Sequence, residues 1–166
     1  RLGLVGYGAI ARVTCRMGRD LGMSVAAYDP LLPADHPAWA GALRQALPEL
    51  LATSDVVSLH VPLTDATRNI IDTAAIATMK RGSILINAAR GGVVDEAALC
   101  AALKAGHLGG AALDVFAREP VDAVTGAAFA DVPNLVLTPH IAGVTDESNV
   151  RVSAVTAEAV ARHLGA

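Results

Sequence analysis

The chain has 166 residues, of which 53% are apolar, 17% charged and 3% aromatic, and its formal net charge is −3. This length and composition fit one globular domain and exclude collagen-like and disordered classes. Since the basic residues are scattered and the aromatic rings dispersed, neither a phosphate-neutralising stripe nor a base-stacking platform is expected, and nucleic acid is excluded as a partner.

Six short aliphatic or β-branched runs follow one another along the chain, separated by segments of helical period. Runs of this kind are typical of buried parallel strands. Strictly alternating strands and helices imply right-handed crossovers, so the sequence predicts an α/β fold with a doubly wound parallel sheet covered by helices on both faces. The predicted strands are residues 2–5, 24–29, 56–60, 83–87, 111–115 and 135–138.

Three predicted helices carry clear signals. The first is indicated by apolar residues at helical spacing, namely Ile10, Val13, Met17 and Leu21. Asp95 is the predicted N-cap of a second helix, which carries Ala97, Leu99 and Leu103 at helical spacing. Residues 145–164 predict a long amphipathic helix that either closes the domain or reaches toward another.

The first predicted strand runs directly into Gly6-Tyr7-Gly8-Ala9-Ile10-Ala11, a G-x-G-x-x-A turn that opens a helix. In such a turn the first glycine permits the tight bend, the second lets the backbone approach a pyrophosphate, and the small third residue lets the helix pack on the strand. Glycine-rich turns between a strand and a helix also occur for structural reasons alone. The motif by itself therefore leaves dinucleotide binding open.

Asp29 ends the second predicted strand at close to the roughly 20-residue spacing expected of the acid that binds the adenosine ribose. A carboxylate there accepts hydrogen bonds from the ribose hydroxyls and repels a 2′-phosphate. The sequence therefore predicts NAD as the cofactor in preference to NADP. A turn-forming role for Asp29 before Pro30 is compatible with this one.

Three ionisable residues, Arg90, Glu119 and His140, follow three successive predicted strands. The carboxyl ends of parallel strands meet at one edge of an open sheet, where ligands bind, so we expect these side chains in one crevice. Taken singly, each has an ordinary structural explanation as a loop charge, a turn residue or a capping histidine. Their joint placement beside a dinucleotide turn favours a catalytic site.

Hydride chemistry on a 2-hydroxy acid needs a base for the hydroxyl proton, and His140 suits that role. Glu119 would orient the imidazole and stabilise its protonated form. The substrate carboxylate needs a planar partner with two donors, which the guanidinium of Arg90 offers. His60 reaches the same edge, but its segment is interpreted as an aliphatic wall for adenine and not as a proton-transfer group.

Cys15 and Cys100 lie far apart in predicted helices, which favours two buried free thiols over a disulfide, and no metal site is predicted. No apolar run reaches the length of a membrane span and the first residues lack the plan of a signal peptide. We therefore expect a cytoplasmic protein with no membrane partner.

The segments GLVGYGAIA, SDVVSLHVPLTDATRNII, MKRGSILINAARGGVVDEAAL, GGAALDVFAREP and NLVLTPHIAGVTDES resemble, in order and spacing, those of the D-isomer-specific 2-hydroxyacid dehydrogenases. This family includes phosphoglycerate, glycerate and D-lactate dehydrogenases. The resemblance implies an NAD-dependent oxidoreductase that transfers a hydride between a D-2-hydroxy acid and NAD, and reduces the 2-oxo acid in reverse. It also implies that Arg90, Glu119 and His140 are the catalytic trio.

By the same resemblance, Asp29 corresponds to the ribose ligand and Asp114 to the residue that holds the nicotinamide carboxamide. Thr67 and the backbone of residues 60–62 correspond to the pyrophosphate and adenosine side. The full set of expected NAD contacts is Gly6, Gly8, Ala9, Ile10, Tyr28, Asp29, Pro30, His60, Val61, Pro62, Thr67, Ala88, Ala89, Arg90, Asp114, His140, Ala142 and Gly143.

The chain departs from the family pattern in two ways. Ala11 replaces the third glycine, and Ala9 stands where arginine or glutamine is usual, which removes a phosphate contact and bears on cofactor affinity. Family members also carry a separate substrate domain, which is missing here. Residues 1–166 are therefore expected to form one dinucleotide-binding domain of a two-domain enzyme. The resemblance also implies a homodimer in which the two copies contact each other through this domain.

Two other functions remain open at this point. One is an NAD-sensing binding module without turnover, such as the corepressors that resemble this family. The other is a formate-type dehydrogenase, which would not be expected to pair its histidine with a glutamate. The stretch HIAGVTDESNVRVS resembles family members that act on glycerate-like or sulfolactate-like acids.

Overall fold

The computed structural model describes residues 1–165 and contains one fully parallel, seven-stranded sheet in the order β3-β2-β1-β4-β5-β6-β7. The strands are β1 (Leu2–Val5), β2 (Val25–Tyr28), β3 (Leu43–Arg44), β4 (Val56–Leu59), β5 (Ile84–Asn87), β6 (Gly110–Leu113) and β7 (Leu135–Leu137). The α-helices are α1 (Ala9–Asp20), α2 (Leu47–Thr53), α3 (Thr73–Thr78), α4 (Glu96–Lys104), α5 (Ala123–Gly126) and α6 (Asp146–Leu164). Two 3₁₀ helices occupy Pro37–Gly41 and Ala127–Phe129.

The predicted doubly wound α/β fold is confirmed, with all six predicted strands present and differing by no more than two residues at either end. The seventh strand, β3, was not predicted. It has two exposed residues at the sheet edge, so the sequence contains no buried apolar run that would predict it.

Hydrophobic clusters lie on both faces of the sheet. One joins the strands to α2, α3 and α4 through residues such as Leu50, Ile76 and Leu99. The other joins β1 and β2 to α1 through Ala11 and Cys15.

Helix α1 forms where it was predicted, but its large apolar residues do not face the sheet. Small residues pack inward instead, because the helix lies so close to the sheet that a Cβ on Gly18 would come 2.8 Å from Leu2 Cδ2. Spacing alone predicted the helix correctly but not its buried face. The exposed residues are Ile10 (74%), Val13 (45%), Met17 (62%) and Leu21 (82%).

Helices lie on both faces of the sheet, as predicted, but they cover the two faces unequally. Register places Ile86, Ala112 and Val136 on the face that α1 covers over β1 and β2. On that face the described helices leave β5 and β7 open, since Ile84 is 40% and Val136 is 61% exposed. The chain thus leaves part of its sheet as an apolar surface.

Helix α6 begins after the N-cap Thr145, whose hydroxyl forms a reciprocal capping box with Ser148, and it has no buried residue. Within the described residues, α6 therefore extends from the domain and does not close it. No helix within residues 1–165 combines the length and apolar character needed to cross a bilayer.

The strand ends are aligned, which positions the functional loops. The last residues of β2, β1, β4, β5, β6 and β7 are register partners across the sheet. The residues that follow them therefore lie along one edge: Asp29, Gly6, His60, Ala88, Asp114 and Thr138.

Candidate active site

The glycine turn bends around the end of β4. Gly6 has a φ of +87° and donates its N–H to the carbonyl of Tyr28 at 2.7 Å. A Cβ on Gly6 would lie 2.6 Å from the carbonyl oxygen of His60, so both the conformation and the space demand glycine.

Gly8 is glycine for a different reason. Its φ of −75° suits any residue, and a Cβ there would have no protein atom within 4 Å. Gly8 is the N-cap of α1, which has no side-chain cap and no acidic residue in its first turn. Open space in front of free helix N–H groups fits the pyrophosphate of NAD.

Asp29 lies beside this turn, where backbone amides hold both of its carboxylate oxygens. Oδ2 accepts the N–H of Tyr7 and Oδ1 accepts the N–H of Leu31, each at 2.9 Å. The carboxylate therefore joins the end of β2 to the glycine turn, at the place expected of a ribose ligand.

A cleft of about 410 Å³ opens between the ends of β1, β4 and β5. Every lining residue except Leu59 belongs to the set expected to contact NAD. The lining consists of Ile10, Leu59, His60, Val61, Pro62, Ala88, Ala89, Arg90, Ala142 and Gly143.

Nine members of the expected set do not line this cleft, and two of these, Thr67 and Asp114, are engaged in other contacts. The hydroxyl of Thr67 accepts the N–H of Thr64 at 2.8 Å and donates to the carbonyl of Pro62 at 2.6 Å, so it closes its own loop. Asp114 is 6% exposed and lies beneath the loop that carries His140.

Asn87, the last residue of β5, shapes the Arg90 loop. Its buried side-chain amide donates to the carbonyl of Arg90 at 3.0 Å and accepts the N–H of Ala89 at 3.1 Å. The Arg90 guanidinium itself is exposed and donates to the carbonyl of Ala89 at 2.6 Å, which leaves further donors for a carboxylate.

His140 and Glu119 are in direct contact, as expected. His140 Nδ1 lies 2.8 Å from Glu119 Oε2, while Glu119 Oε1 accepts the N–H of Phe116 at 2.9 Å. The hydrogen bond from His140, and then that from Phe116, hold the pKa of Glu119 below its usual value. The carboxylate is thus charged near neutral pH and fixed on one side by its own loop.

The backbone of His140 has a φ of +55°, an uncommon conformation for a residue with a side chain. Asp114 stabilises the loop on both sides of it, accepting the N–H groups of Ile141 and Ala142 at 2.9 Å and the hydroxyl of Thr138. Burial would raise the pKa of Asp114, but these hydrogen bonds outweigh it and hold the pKa below its usual value.

A second cavity, of about 720 Å³, adjoins the histidine–glutamate pair. Its wall is largely apolar, while the side chains of His140 and Glu119 remain 51% and 35% exposed. It is lined by Phe116, Glu119, Pro120, Val121, Leu137, Thr138, Pro139 and His140.

His60 lines the cleft between β1, β4 and β5 but differs from His140 in its surroundings. Burial lowers its pKa, and Nε2 lies 3.1 Å from the hydroxyl of Ser58 within the sheet. A neutral, partly buried ring of this kind forms a wall more readily than it exchanges protons, in agreement with the sequence interpretation.

Sequence reasoning missed Asn87 and Thr138, which hold the Arg90 and His140 loops. A polar residue that ends a run of buried aliphatic residues, as in Ile84-Leu85-Ile86-Asn87, is a usable signal for such a role. Within the described residues, no group of three or more metal-ligating side chains is arranged to hold a metal ion.

Comparison with known proteins agrees with this geometry. The sequence profile described as "D-isomer specific 2-hydroxyacid dehydrogenase, NAD binding domain" matches residues 1–142. The chain is 55% identical to (S)-sulfolactate dehydrogenase of Chromohalobacter salexigens, over 99% of this chain and 53% of that protein. It is 46% identical to glycerate dehydrogenase of Methylorubrum extorquens, over 89% of this chain and 44% of that protein.

Solved structures show the same similarity. D-lactate dehydrogenase of Aquifex aeolicus, complexed with NAD and lactic acid, superposes with a TM-score of 0.88 at 36% identity, over 99% of this chain and 53% of that one. D-mandelate dehydrogenase of Rhodotorula graminis gives a TM-score of 0.87 at 39% identity, over 97% of this chain and 47% of that one. The chain spans about half the length of these relatives. It belongs to the D-isomer-specific 2-hydroxyacid dehydrogenase family and corresponds to the NAD-binding domain of its members.

Proposed function

We propose that this chain is the NAD-binding and catalytic part of a dehydrogenase that interconverts D-2-hydroxy acids and 2-oxo acids. The contact between His140 Nδ1 and Glu119 Oε2, 2.8 Å long, is the observation that carries the proposal. His140 precedes Ala142, a lining residue of the cleft that also includes Arg90, by two positions in the sequence. An acid/base and a carboxylate-binding group therefore occupy one edge of the sheet.

The side chains have distinct roles in this proposal. Because Glu119 engages Nδ1, the Nε2 atom of His140 is the one that takes the hydroxyl proton during oxidation and returns it during reduction. Glu119 stabilises the protonated ring, and Arg90 binds the substrate carboxylate through paired N–H groups. NAD, when bound, supplies the acceptor for the hydride.

For the substrate, we propose a D-2-hydroxy acid with a polar or anionic substituent on C3. Two relatives support this choice, because sulfolactate and glycerate both carry such a substituent. A panel of 2-oxo acids that includes 3-sulfopyruvate, hydroxypyruvate and pyruvate, followed by NADH absorbance with the complete gene product, tests both activity and class.

Oxidation of NADH with the C3-substituted acids, and little with pyruvate, is the expected result of the panel. Consumption of NADH with none of them would contradict the proposed function and favour the NAD-sensing alternative. The comparisons do not support that alternative, since the relatives named above are dehydrogenases.

The proposal includes a preference for NADH over NADPH, supported by the fixed carboxylate of Asp29. A 2′-phosphate placed against a carboxylate that cannot turn away meets like-charge repulsion. Fluorescence titration of this chain should show that NADH binds at least about tenfold more tightly than NADPH, which is a difference of about 1.4 kcal/mol in binding free energy. Equal affinities would remove Asp29 from its assigned role.

We also propose a homodimer and a cytoplasmic location. The uncovered sheet face around Val136 and the exposed stripe of α1 support the dimer, since apolar surface of this kind is typical of interfaces. Sedimentation equilibrium that gives only a monomer at micromolar concentration would contradict the dimer.

The free, buried Cys15 and Cys100 support the cytoplasmic location, because free thiols persist in a reducing compartment. Fractionation of cells that express a tagged protein would test it.

A further inference from the structure

We propose that Glu96, the first residue of α4, is the positioning residue of Glu119: it holds the turn that carries Glu119 and so fixes the distance between Glu119 and His140. The part of this proposal that concerns turnover rests on the proposed function. The part that concerns geometry does not.

The contact itself crosses between two elements. Glu96 Oε1 accepts the N–H of Ala117 at 2.6 Å, and the neighbouring N–H of Phe116 donates to Glu119 Oε1 at 2.9 Å. Two adjacent backbone amides of one turn therefore bind two different carboxylates. The first fixes the turn to α4, and the second fixes Glu119 to the turn.

Glu96 is not needed to cap its own helix. Asp95 is the N-cap of α4 and accepts the N–H of Ala98 at 3.0 Å. An exposed acid in a first helical turn is ordinarily stabilised by the helix dipole. The partly buried Glu96 instead directs an oxygen to another loop, and burial raises its pKa against the effect of the Ala117 hydrogen bond.

The same turn also contacts the Arg90 loop closely. An ideal Cβ on Gly91 would lie 1.7 Å from the carbonyl oxygen of Phe116, so the two loops are in main-chain contact. On the other side, the Phe116 ring packs edge-on against Phe129, with 5.6 Å between ring centroids. These contacts position the turn from two sides, and Glu96 supplies its hydrogen bond to α4.

The test separates the effect of side-chain length from the effect of charge at position 96. Glu96→Asp keeps the charge but shortens the side chain by one methylene, whereas Glu96→Gln keeps the length and an acceptor oxygen but loses the charge. The readout is the pKa of Glu119, followed by ¹³C NMR of glutamate carboxyl groups in this chain and assigned with Glu119→Gln. Only five glutamates are present, so the spectrum is simple.

If Glu96 acts by holding the turn, Glu96→Asp raises the pKa of Glu119 toward its usual value, because Glu119 loses its fixed position against His140 and Phe116. Glu96→Gln leaves it lowered. An effect of charge alone leaves the pKa of Glu119 unchanged in Glu96→Asp and lowers it further in Glu96→Gln, because a like charge near Glu119 is lost. That result would overturn the proposal, as would a Glu119 titration unchanged in both variants. Glu49, an exposed acid in the first turn of α2, gives matched control substitutions to Asp and Gln that should change nothing.

Turnover supplies the second readout, measured with the complete gene product. Glu96→Asp should lower kcat by up to about 10²-fold, the effect of a displacement of about 1 Å, with the KM for NADH unchanged. Glu96→Gln should restore most of the rate. If no 2-oxo acid is reduced but the titration follows the expected order, the proposed function fails and the positioning role stands.

Discussion

The two functional loops on the edge of this sheet are held by different means. The glycine turn is shaped mainly by backbone hydrogen bonds and by the absence of side chains, as in the close contact of Gly6 with His60. The His140 loop is held by carboxylates, since Asp114 and Glu119 together accept four backbone or hydroxyl donors. Protonation can alter both loops, since Asp29 accepts the N–H of Tyr7 in the glycine turn, but it removes more hydrogen bonds from the His140 loop, so acid should act mainly on the catalytic edge.

The largest expected effect comes from removing the proton-transfer group. Asparagine is the suitable replacement at position 140, because it tolerates the φ of +55° better than alanine does. His140→Asn should lower kcat by about 10²- to 10⁴-fold with little change in NADH affinity, measured by steady-state kinetics and fluorescence titration. A parallel loss of NADH binding would mean that the variant has disturbed the fold of the cleft.

Substitutions of Gly6 and Gly8 should differ in their effect on the stability of the glycine turn. Gly6→Ala combines a positive φ with a Cβ 2.6 Å from a carbonyl oxygen, so the free energy of unfolding should fall by about 2 kcal/mol or more. In Gly8→Ala the added Cβ has no protein atom within 4 Å, so the free energy of unfolding should stay within about 0.5 kcal/mol of the wild-type value. Chemical denaturation measures both.

The same pair should behave differently toward the cofactor. Gly8→Ala should weaken NADH binding by at least about tenfold, because its methyl group occupies the space left for the pyrophosphate. Unchanged NADH affinity in Gly8→Ala would place the pyrophosphate elsewhere.

Asp114→Asn tests the carboxylate side of the comparison. An amide cannot accept all three donors, so unfolding free energy at neutral pH should fall by roughly 1–3 kcal/mol. Because the folded pKa of Asp114 lies below its usual value, its contribution is present above about pH 4 and is lost as pH falls through the folded pKa. The variant should therefore lose less stability than the wild type between neutral pH and pH 3.

Denaturant unfolding at several pH values measures this difference. Asp65→Asn, which changes an exposed carboxylate, is the control. Parallel pH curves for the wild type and Asp114→Asn would contradict the assigned role of Asp114.

The smallest effect is a shift in pH dependence. The hydrogen bond from His140 lowers the pKa of Glu119, so a charged carboxylate lies against the imidazole. Glu119→Gln should therefore move the pH–rate profile of oxidation to lower pH and weaken 2-oxo acid reduction first as pH rises. A profile that stays in place while His140→Asn abolishes turnover would mean that another group stabilises the protonated ring.

The sequence predicted the parts of this molecule that depend on local pattern. Buried strands, the glycine turn and the contact of Glu119 with His140 follow from apolar runs and from the geometry of parallel sheets, whereas Arg90 lines the neighbouring cleft and not the cavity beside that pair. The buried face of α1 did not follow, because small residues at a close helix–sheet contact outweigh the larger apolar stripe.

Hydrogen bonds between segments that are distant in the chain could also not be predicted from the sequence. The contact of Glu96 with Ala117 joins residues 21 positions apart, and that of Asp114 with Ala142 joins residues 28 apart. No period or spacing encodes such pairs, since they depend on how the loops meet after the sheet has formed.

The exposed helix α6 has a consequence for local opening. Its 19 residues include no buried side chain, so backbone hydrogen bonds, the capping box at Thr145 and the left-handed Gly165 at its end are what stabilise it. Helices of this length are only marginally stable in water without packing. In hydrogen–deuterium exchange, α6 should therefore open as a separate unit, and its amides should exchange while those of β1 and β4 remain protected.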